Sequence, residues 1–235
     1  HALDSANATI SGATITTTAG DVDVDSRIVS TSTSTAHAAG SASGISVTNS
    51  NAKAYVGSAD AEQSSRVSIE DASVIVAAGN VELYAYNTGY AESIITKGGS
   101  FSIGRINAST LPTESYYDTY AGITDESDVT AANISVKAED YTRAKSDAWD
   151  QSIAVTVSIA TTQGVNTIHS DTNATINARL FATDDVSIHA DSNAWMYART
   201  YSSQRGGFVA DGDMHAYNTL KRNVAVDILS GADIE

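Results

Sequence analysis

The residues whose types come nearest to bond-breaking chemistry are the adjacent acids Asp184-Asp185, with Arg179 and His189 close by in sequence. Cleavage of an acidic polysaccharide on a β-helix needs clustered aspartates beside Arg or Lys in a groove, and fold alone never implies that activity. The pair falls where other parts of the chain carry Gly20-Asp21 and Gly79-Asn80. Gly, Asn and Asp are the residues that turn a chain sharply at little steric cost, so a corner is the simpler account. There is no Gly-x-Ser-x-Gly elbow to expose a nucleophile. The expectation is therefore no catalytic residue and no enzyme.

Metal chemistry is weighed next. His37, His169, His189 and His215 make no H-x-x-x-H spacing, and His189 is expected to face outward. Aspartates alternate at Asp21, Asp23 and Asp25, where Asp23 and Asp25 share a face. Asp211 and Asp213 flank Gly212, and Asp125, Glu126 and Asp128 cluster. Asp23, Asp25, Asp211 and Asp213 are the weak candidates for a metal, and calcium is the ion that loop carboxylates suit. The calcium-binding G-G-x-G-x-D nonapeptide and the EF-hand spacing are both missing. The expectation is no cofactor.

Aromatic residues carry the stronger binding signal. Tyr84 and Tyr86 lie two apart with Tyr90 near; Tyr116 and Tyr117 sit with Tyr120 near Pro112; Trp195, Tyr197 and Tyr201 cluster later. Exposed rings stack on sugar faces or anchor a partner, and buried ones pack against each other across neighbouring strands. Tyr84, Tyr86, Tyr116, Tyr117, Trp195 and Tyr197 are the ligand-binding candidates.

What must position these residues is a repeat. A small-x-Ile landmark recurs at Ile10, Ile69, Ile123, Ile176 and Ile228, and a second apolar position follows at Ile15, Val74, Val129, Leu180 and Ile234. An apolar-x-apolar-x-small run comes next: Val22/Val24/Ser26, Val81/Leu83/Ala85, Ile134/Val136/Ala138 and Val186/Ile188/Ala190. Period 2 with β-branched residues is a strand with one buried face. The alternate positions, such as Asp23, Glu82, Ser135 and Ser187, do not repeat, so the inside is fixed and the outside is free.

The repeat predicts an all-β fold, a parallel β-solenoid of four units: 8–66, 67–120, 121–173, 174–225, with a partial fifth at 226–235. The alternative is an antiparallel sandwich of stacked hairpins with its turns at the Gly-rich points. A third landmark divides each unit at Ile45-x-Val47, Phe101-x-Ile103, Ile153-x-Val155 and Phe208-Val209. Gly40/Gly44, Gly98-Gly99 and Gly206-Gly207 precede three of these. Each unit is accordingly expected to hold two coils, or one coil and a hairpin. Two coils per unit would stack eight coils into a rod about 40 Å long. The single proline, Pro112, is expected in a loop. The run continues without a linker, and the chain reads as one segment of a longer array or as a subunit that continues into another.

Composition sets the remaining bounds. The net charge of −15 argues against charge-driven binding of nucleic acid or anionic lipid. There is no cysteine, so neither disulfides nor thiolate metal sites hold the fold. No 18-residue apolar run is present to insert as a membrane helix.

The stretches GDVDV (Gly20–Val24), GNVEL (Gly79–Leu83) and AYVG (Ala54–Gly57), with Gly-Gly-Phe turns amid Ser/Ala/Thr-rich alternation, resemble the repeat regions of very large bacterial surface adhesins. These are the leukotoxin-like and filamentous-haemagglutinin-like families. The resemblance covers nearly the whole chain. It implies secretion to the bacterial cell surface, a long β-solenoid stalk, and adhesion to a host or neighbouring cell, with glycan as one ligand class. It also implies filament formation and no catalytic residues; separately, the open ends of a solenoid present unpaired strand edges, so end-to-end stacking into a homopolymer is a further expectation. A β-helical polysaccharide-active enzyme or a glycan-binding module is the alternative.

Overall fold

A computed structural model describes residues 4–38, 43–97 and 101–235. Gly40 and Gly98-Gly99 lie outside the described residues. The chain forms β1 (Ser5–Ser11), β2 (Thr14–Thr17), β3 (Val22–Ala38), β4 (Ile45–Asn51), β5 (Ala54–Val56), β6 (Gln63–Glu70) and β7 (Val74–Ala77). There follow β8 (Val81–Lys97), β9 (Phe101–Ile123), β10 (Asp128–Ile176), β11 (Arg179–Gly206), β12 (Val209–Ile228) and β13 (Asp233–Ile234). No helix occurs among the described residues.

The sequence landmarks are stacked directly on one another. Ile10 pairs with Ile69, Ile69 with Ile123, Ile123 with Ile176 and Ile176 with Ile228. Val22 pairs with Val81, Val81 with Ile134 and Ile134 with Val186, in steps of 59, 53 and 52 residues. All named strands pair in parallel; the one antiparallel contact among the described residues is an isolated bridge between Ser58 and Ala61. The fold is a parallel β-solenoid, and a sandwich of antiparallel hairpins is ruled out.

Two expectations are corrected here. Each unit is one large coil, not two, because strand partners lie a whole unit apart. Four coils and the start of a fifth therefore rise only about 20 Å, at about 4.8 Å per step. Pro112 sits inside β9, not in a loop. In the adjacent coil it lies opposite the gap between Asn51 and Ala54 that separates β4 from β5, where a missing N–H costs no ladder bond.

Each coil has a wide base and a long flattened arm. At the base, Val81, Leu83, Ile69, Ile75, Ile123, Val129, Ile134, Val136, Ile176 and Leu180 form the main apolar cluster. From the base an outgoing limb (β3, β8, the first half of β10, β11) runs to a tip. A returning limb (β4 to β6, β9, the second half of β10, β12) comes back face to face with it. The seam between the limbs is built of small hydroxyl side chains. Ser26 bonds Ser65 at 2.8 Å, Thr113 donates to Ser93 at 2.9 Å and Ser152 bonds Ser158 at 2.8 Å. A hydroxyl both donates and accepts, so each can answer its opposite number without a fixed polarity. The limbs approach so closely that a Cβ on Gly89 would fall 1.9 Å from the Tyr117 hydroxyl.

Charged groups are set into the same seam. The carboxylate of Asp140, 3 % exposed, accepts from Thr172 at 2.9 Å and Ser192 at 2.7 Å, and from Ser170. Nearer the tip, buried Asn107 donates to Asp150, Arg105 Nε donates to Asn107 at 3.0 Å, and Lys97 Nζ donates to the Ala108 carbonyl at 3.1 Å. The tip is polar within and apolar without: Ile45, Val47, Ile103, Ile153, Val155 and Val209 all face outward.

The corner between base and outgoing limb explains the adjacent acids. Gly20 there has a φ of 99°, open to glycine and strained for other residues. The next positions stack as a side-chain ladder. Asp21 accepts from the Asn80 backbone at 2.6 Å, Asn133 Nδ2 donates to Asn80 Oδ1 at 2.8 Å, and the Asp185 N–H donates to Asn133 Oδ1 at 3.2 Å. Asp185 thus belongs to a structural column, and Arg179 pairs with Asp128 and Asp233.

Val136 is fully buried among the base column, and Lys137 beside it faces outward. Val136→Asp places an unpaired charge in apolar surroundings and should abolish cooperative unfolding. Lys137→Ala removes a partly exposed ion pair with Glu139 and should cost about 1 kcal/mol or less. Equal effects on thermal melting would reverse the facing assignment.

Burial pushes the Asp140 carboxyl above the ordinary aspartate range, against the lowering effect of its hydroxyl donors. The folded chain then holds that proton more tightly than the unfolded chain. The contribution of Asp140 to stability is greatest at acid pH and falls as pH rises through the folded value. In Asp140→Asn that dependence is gone, so the melting temperature of the variant relative to the parent should rise between pH 4 and pH 7, by calorimetry. A constant difference across that range would refute the assignment.

Candidate ligand-binding face

Along the outgoing limb, alternate residues point outward, and stacking aligns them in columns. Asp25, Tyr84, Lys137 and His189 form one column; Arg27, Tyr86, Glu139 and Asp191 the next. Further out stand Thr31, Tyr90, Arg143 and Trp195, then Thr33, Glu92, Lys145 and Tyr197. Residues distant in sequence thereby share one outer sheet.

This face holds four of the six aromatic candidates. Trp195 and Tyr197 are exposed and lie nearly parallel, 5.9 Å between centroids. Tyr84 and Tyr86 lie 5.9 Å apart and are half-buried. Tyr84 is covered by its neighbours: the Arg27 guanidinium stands 5.0 Å and the Lys137 ammonium 5.2 Å from its ring centroid. Its hydroxyl donates to Glu139 at 2.6 Å. Burial first, and then the bond to Glu139, push that phenol above its usual range.

Two candidates lie elsewhere. Tyr116 faces outward on the returning limb, stacked on His169 at 4.7 Å. Tyr117 is corrected: it is 1 % exposed, lies inside the arm with Ala54, Val56 and Ala91, and meets no solvent. Adjacent residues on a strand point to opposite faces, so Tyr116 and Tyr117 never shared a surface.

The acid candidates do not converge. Asp25 pairs with Arg27 at 3.0 Å on β3, with Asp23 exposed beside it. Asp213 meets His215 at 3.0 Å on β12, with Asp211 exposed nearby. A different trio does come together: Glu139, His189 and Asp191 place one ligand atom each within 4.8 Å of one another. Glu139 there already accepts from Lys137 at 2.6 Å and from Tyr84. Burial alone would raise this carboxyl, and the two hydrogen bonds outweigh it and hold it below the ordinary glutamate range.

A depression of about 570 Å³ opens in the same outer face. Its low floor is made by Ser30, Thr31, Thr88 and Gly89, and Tyr90, Tyr141, Arg143, Lys145 and Trp195 stand around it. Lys145 bonds Glu92 at 2.7 Å, and Arg143 lies over the Tyr141 ring at 4.8 Å, donating to its hydroxyl. Just beyond, Trp149 packs on Tyr201 at 4.5 Å and Arg199 grips Asp147 through two bonds of 2.9 and 2.6 Å. Tyr141, Arg143 and Lys145 escape a reading by motif. Superposing the repeats brings them out, since Arg143 falls one coil above Tyr90 and one below Trp195.

Comparison with known proteins yields no match to any family model, curated protein or solved structure.

Tyr84→Phe deletes one of the two donors that lower Glu139. The Glu139 carboxyl should then titrate at higher pH than in the parent, by carboxyl-carbon NMR. An unmoved titration would show that Lys137 and His189 set it without the tyrosine.

Proposed function

We propose that this chain is a segment of an extracellular bacterial β-solenoid, a stalk or fibre module whose outgoing sheet binds carbohydrate on a host or neighbouring cell. The observation that carries this reading is the depression on the outer sheet, ringed by Tyr90, Tyr141 and the exposed Trp195, with Tyr197 beside it. Flat rings on a rigid sheet offer large contact area at little entropic cost, and they suit the apolar faces of sugar rings. The sheet fixes their spacing, because each ring is anchored in a ladder bonded on both sides or to the coil below. The repeat itself supports the stalk: every coil offers the next one the same register, so length is added without changing the cross-section. The cell-surface location rests on the resemblance of the repeat to adhesin arrays.

Binding of the purified chain to a glycan array, followed by titration of the best hit, tests the reading. Saturable binding is expected, weakened at least tenfold, or about 1.4 kcal/mol, in Trp195→Ala. Trp195 is 45 % exposed, so the variant should keep the parent's melting temperature. No glycan bound by the folded chain, or equal affinity in the variant, would overturn it.

A further inference from the structure

We infer that the sugar this face takes is acidic, a ring carrying a carboxylate or sulfate, and that Arg143 is the residue that selects it. This inference rests on the carbohydrate reading above and names its ligand class.

The argument is one of pairing. Six Lys and Arg residues stand on the outgoing strands of the third and fourth coils: Lys137, Arg143, Lys145, Arg179, Arg199 and Arg205, of which Arg179 pairs with Asp128 and Asp233. Lys137 is paired with Glu139, Lys145 with Glu92 and Arg199 with Asp147. Arg143 and Arg205 make no ion pair among the described residues, and of these two only Arg143 lines the depression, where its bonds go to the Tyr141 hydroxyl.

Its place is equally specific. Arg143 is exposed, lines the depression, and stands in one column between Tyr90 and Trp195. The two positions are two coils apart, about 10 Å, with the Arg143 backbone midway and its guanidinium leaning over Tyr141. A sugar lying across the coils would meet Trp195 with one ring and Tyr90 with the next, with the charge at their junction. A guanidinium fork matches a carboxylate or sulfate through two parallel N–H···O bonds, which an ammonium cannot copy. The Tyr141 ring beneath holds the guanidinium plane in position.

The overall negative charge does not defeat this. Screening confines charge effects to about 8 Å at physiological ionic strength, so distant acids weigh little against a direct contact. Among the described residues no acid lines the depression, and Glu92 in the adjacent column is engaged by Lys145.

The test is calorimetric titration of the intact chain with three probes: hyaluronan oligosaccharides (carboxylate only), chondroitin sulfate oligosaccharides (carboxylate and sulfate) and a neutral maltohexaose. At least one acidic probe should bind at least tenfold more tightly than the neutral one. In Arg143→Gln that preference should vanish, and Arg143→Lys should restore it only in part. Trp195→Ala should weaken the acidic probe while leaving the Arg143-dependent salt sensitivity. Equal binding of acidic and neutral probes, or an acidic preference unchanged in Arg143→Gln, would overturn the inference and leave the carbohydrate reading standing. No binding of these or of any array glycan would overturn both.

Discussion

Every column of this solenoid must tolerate a copy of itself about 4.8 Å away, and most of the structure follows from that single constraint. Because partners are one whole unit apart, a residue type that packs well on itself can be kept and one that does not must be compensated by its neighbours. Branched aliphatics pass, giving the Ile10–Ile69–Ile123–Ile176–Ile228 column. Asparagine and aspartate pass at the corner because amide and backbone donors alternate with carbonyl and carboxylate acceptors. Some outward charges pass by alternating sign, as where Lys145 stands over Glu92 and Arg199 over Asp147, while Asp23 with Glu82 and Glu139 with Asp191 stack like on like. Like charges one step apart would cost what these pairs gain.

The coil interior divides into two regimes of unequal strength. The base buries apolar side chains, each contributing roughly 1.5–3 kcal/mol. The arm buries hydroxyls, amides and a few charges, where a satisfied hydrogen bond nets about 1 kcal/mol and an unmet one costs about as much or more. Hydroxyls of Ser102, Ser109, Thr142, Ser146 and Thr162 find no partner. The base therefore anchors the coil, and the arm is held by the continuous backbone ladders on either side of its seam. Small side chains are what allow two sheets to close that seam, and Gly89 against Tyr117 marks how little space is left.

Much of this was legible in the sequence, for a physical reason. Columns of identical burial produce identical residues, so the Ile landmarks and the Val22, Val81, Ile134, Val186 series aligned without reference to coordinates. Coil size was not legible, because the third landmark mimics a second coil. Ile153 and Val155 alternate as core residues do, yet they face outward at the tip while Ser152 and Asp150 face inward. Period 2 reports that one face differs from the other and is silent on which face is inside. The same silence left both Tyr116 and Tyr117 as candidates, although on one strand only one of the two can face outward. The candidate face was half legible: Trp195 and Tyr197 stood out by type, whereas Tyr90, Arg143 and Trp195 become neighbours only when their units are laid coil on coil.

The stacking rule also explains why residue types vary freely on the outer columns of the arm and not at the base. At the base the corner ladder and the apolar core set the side chains from both sides, and changing one residue disturbs its copies above and below. Outward positions of the arm carry no such burden, as Thr31, Tyr90, Arg143 and Trp195 in one column attest. Four unlike residues at a fixed spacing form a surface that varies along the stack while the backbone beneath it does not. Rigidity comes from the repeat and specificity from its exceptions, and Arg143, a cation with no acid opposite it, is such an exception.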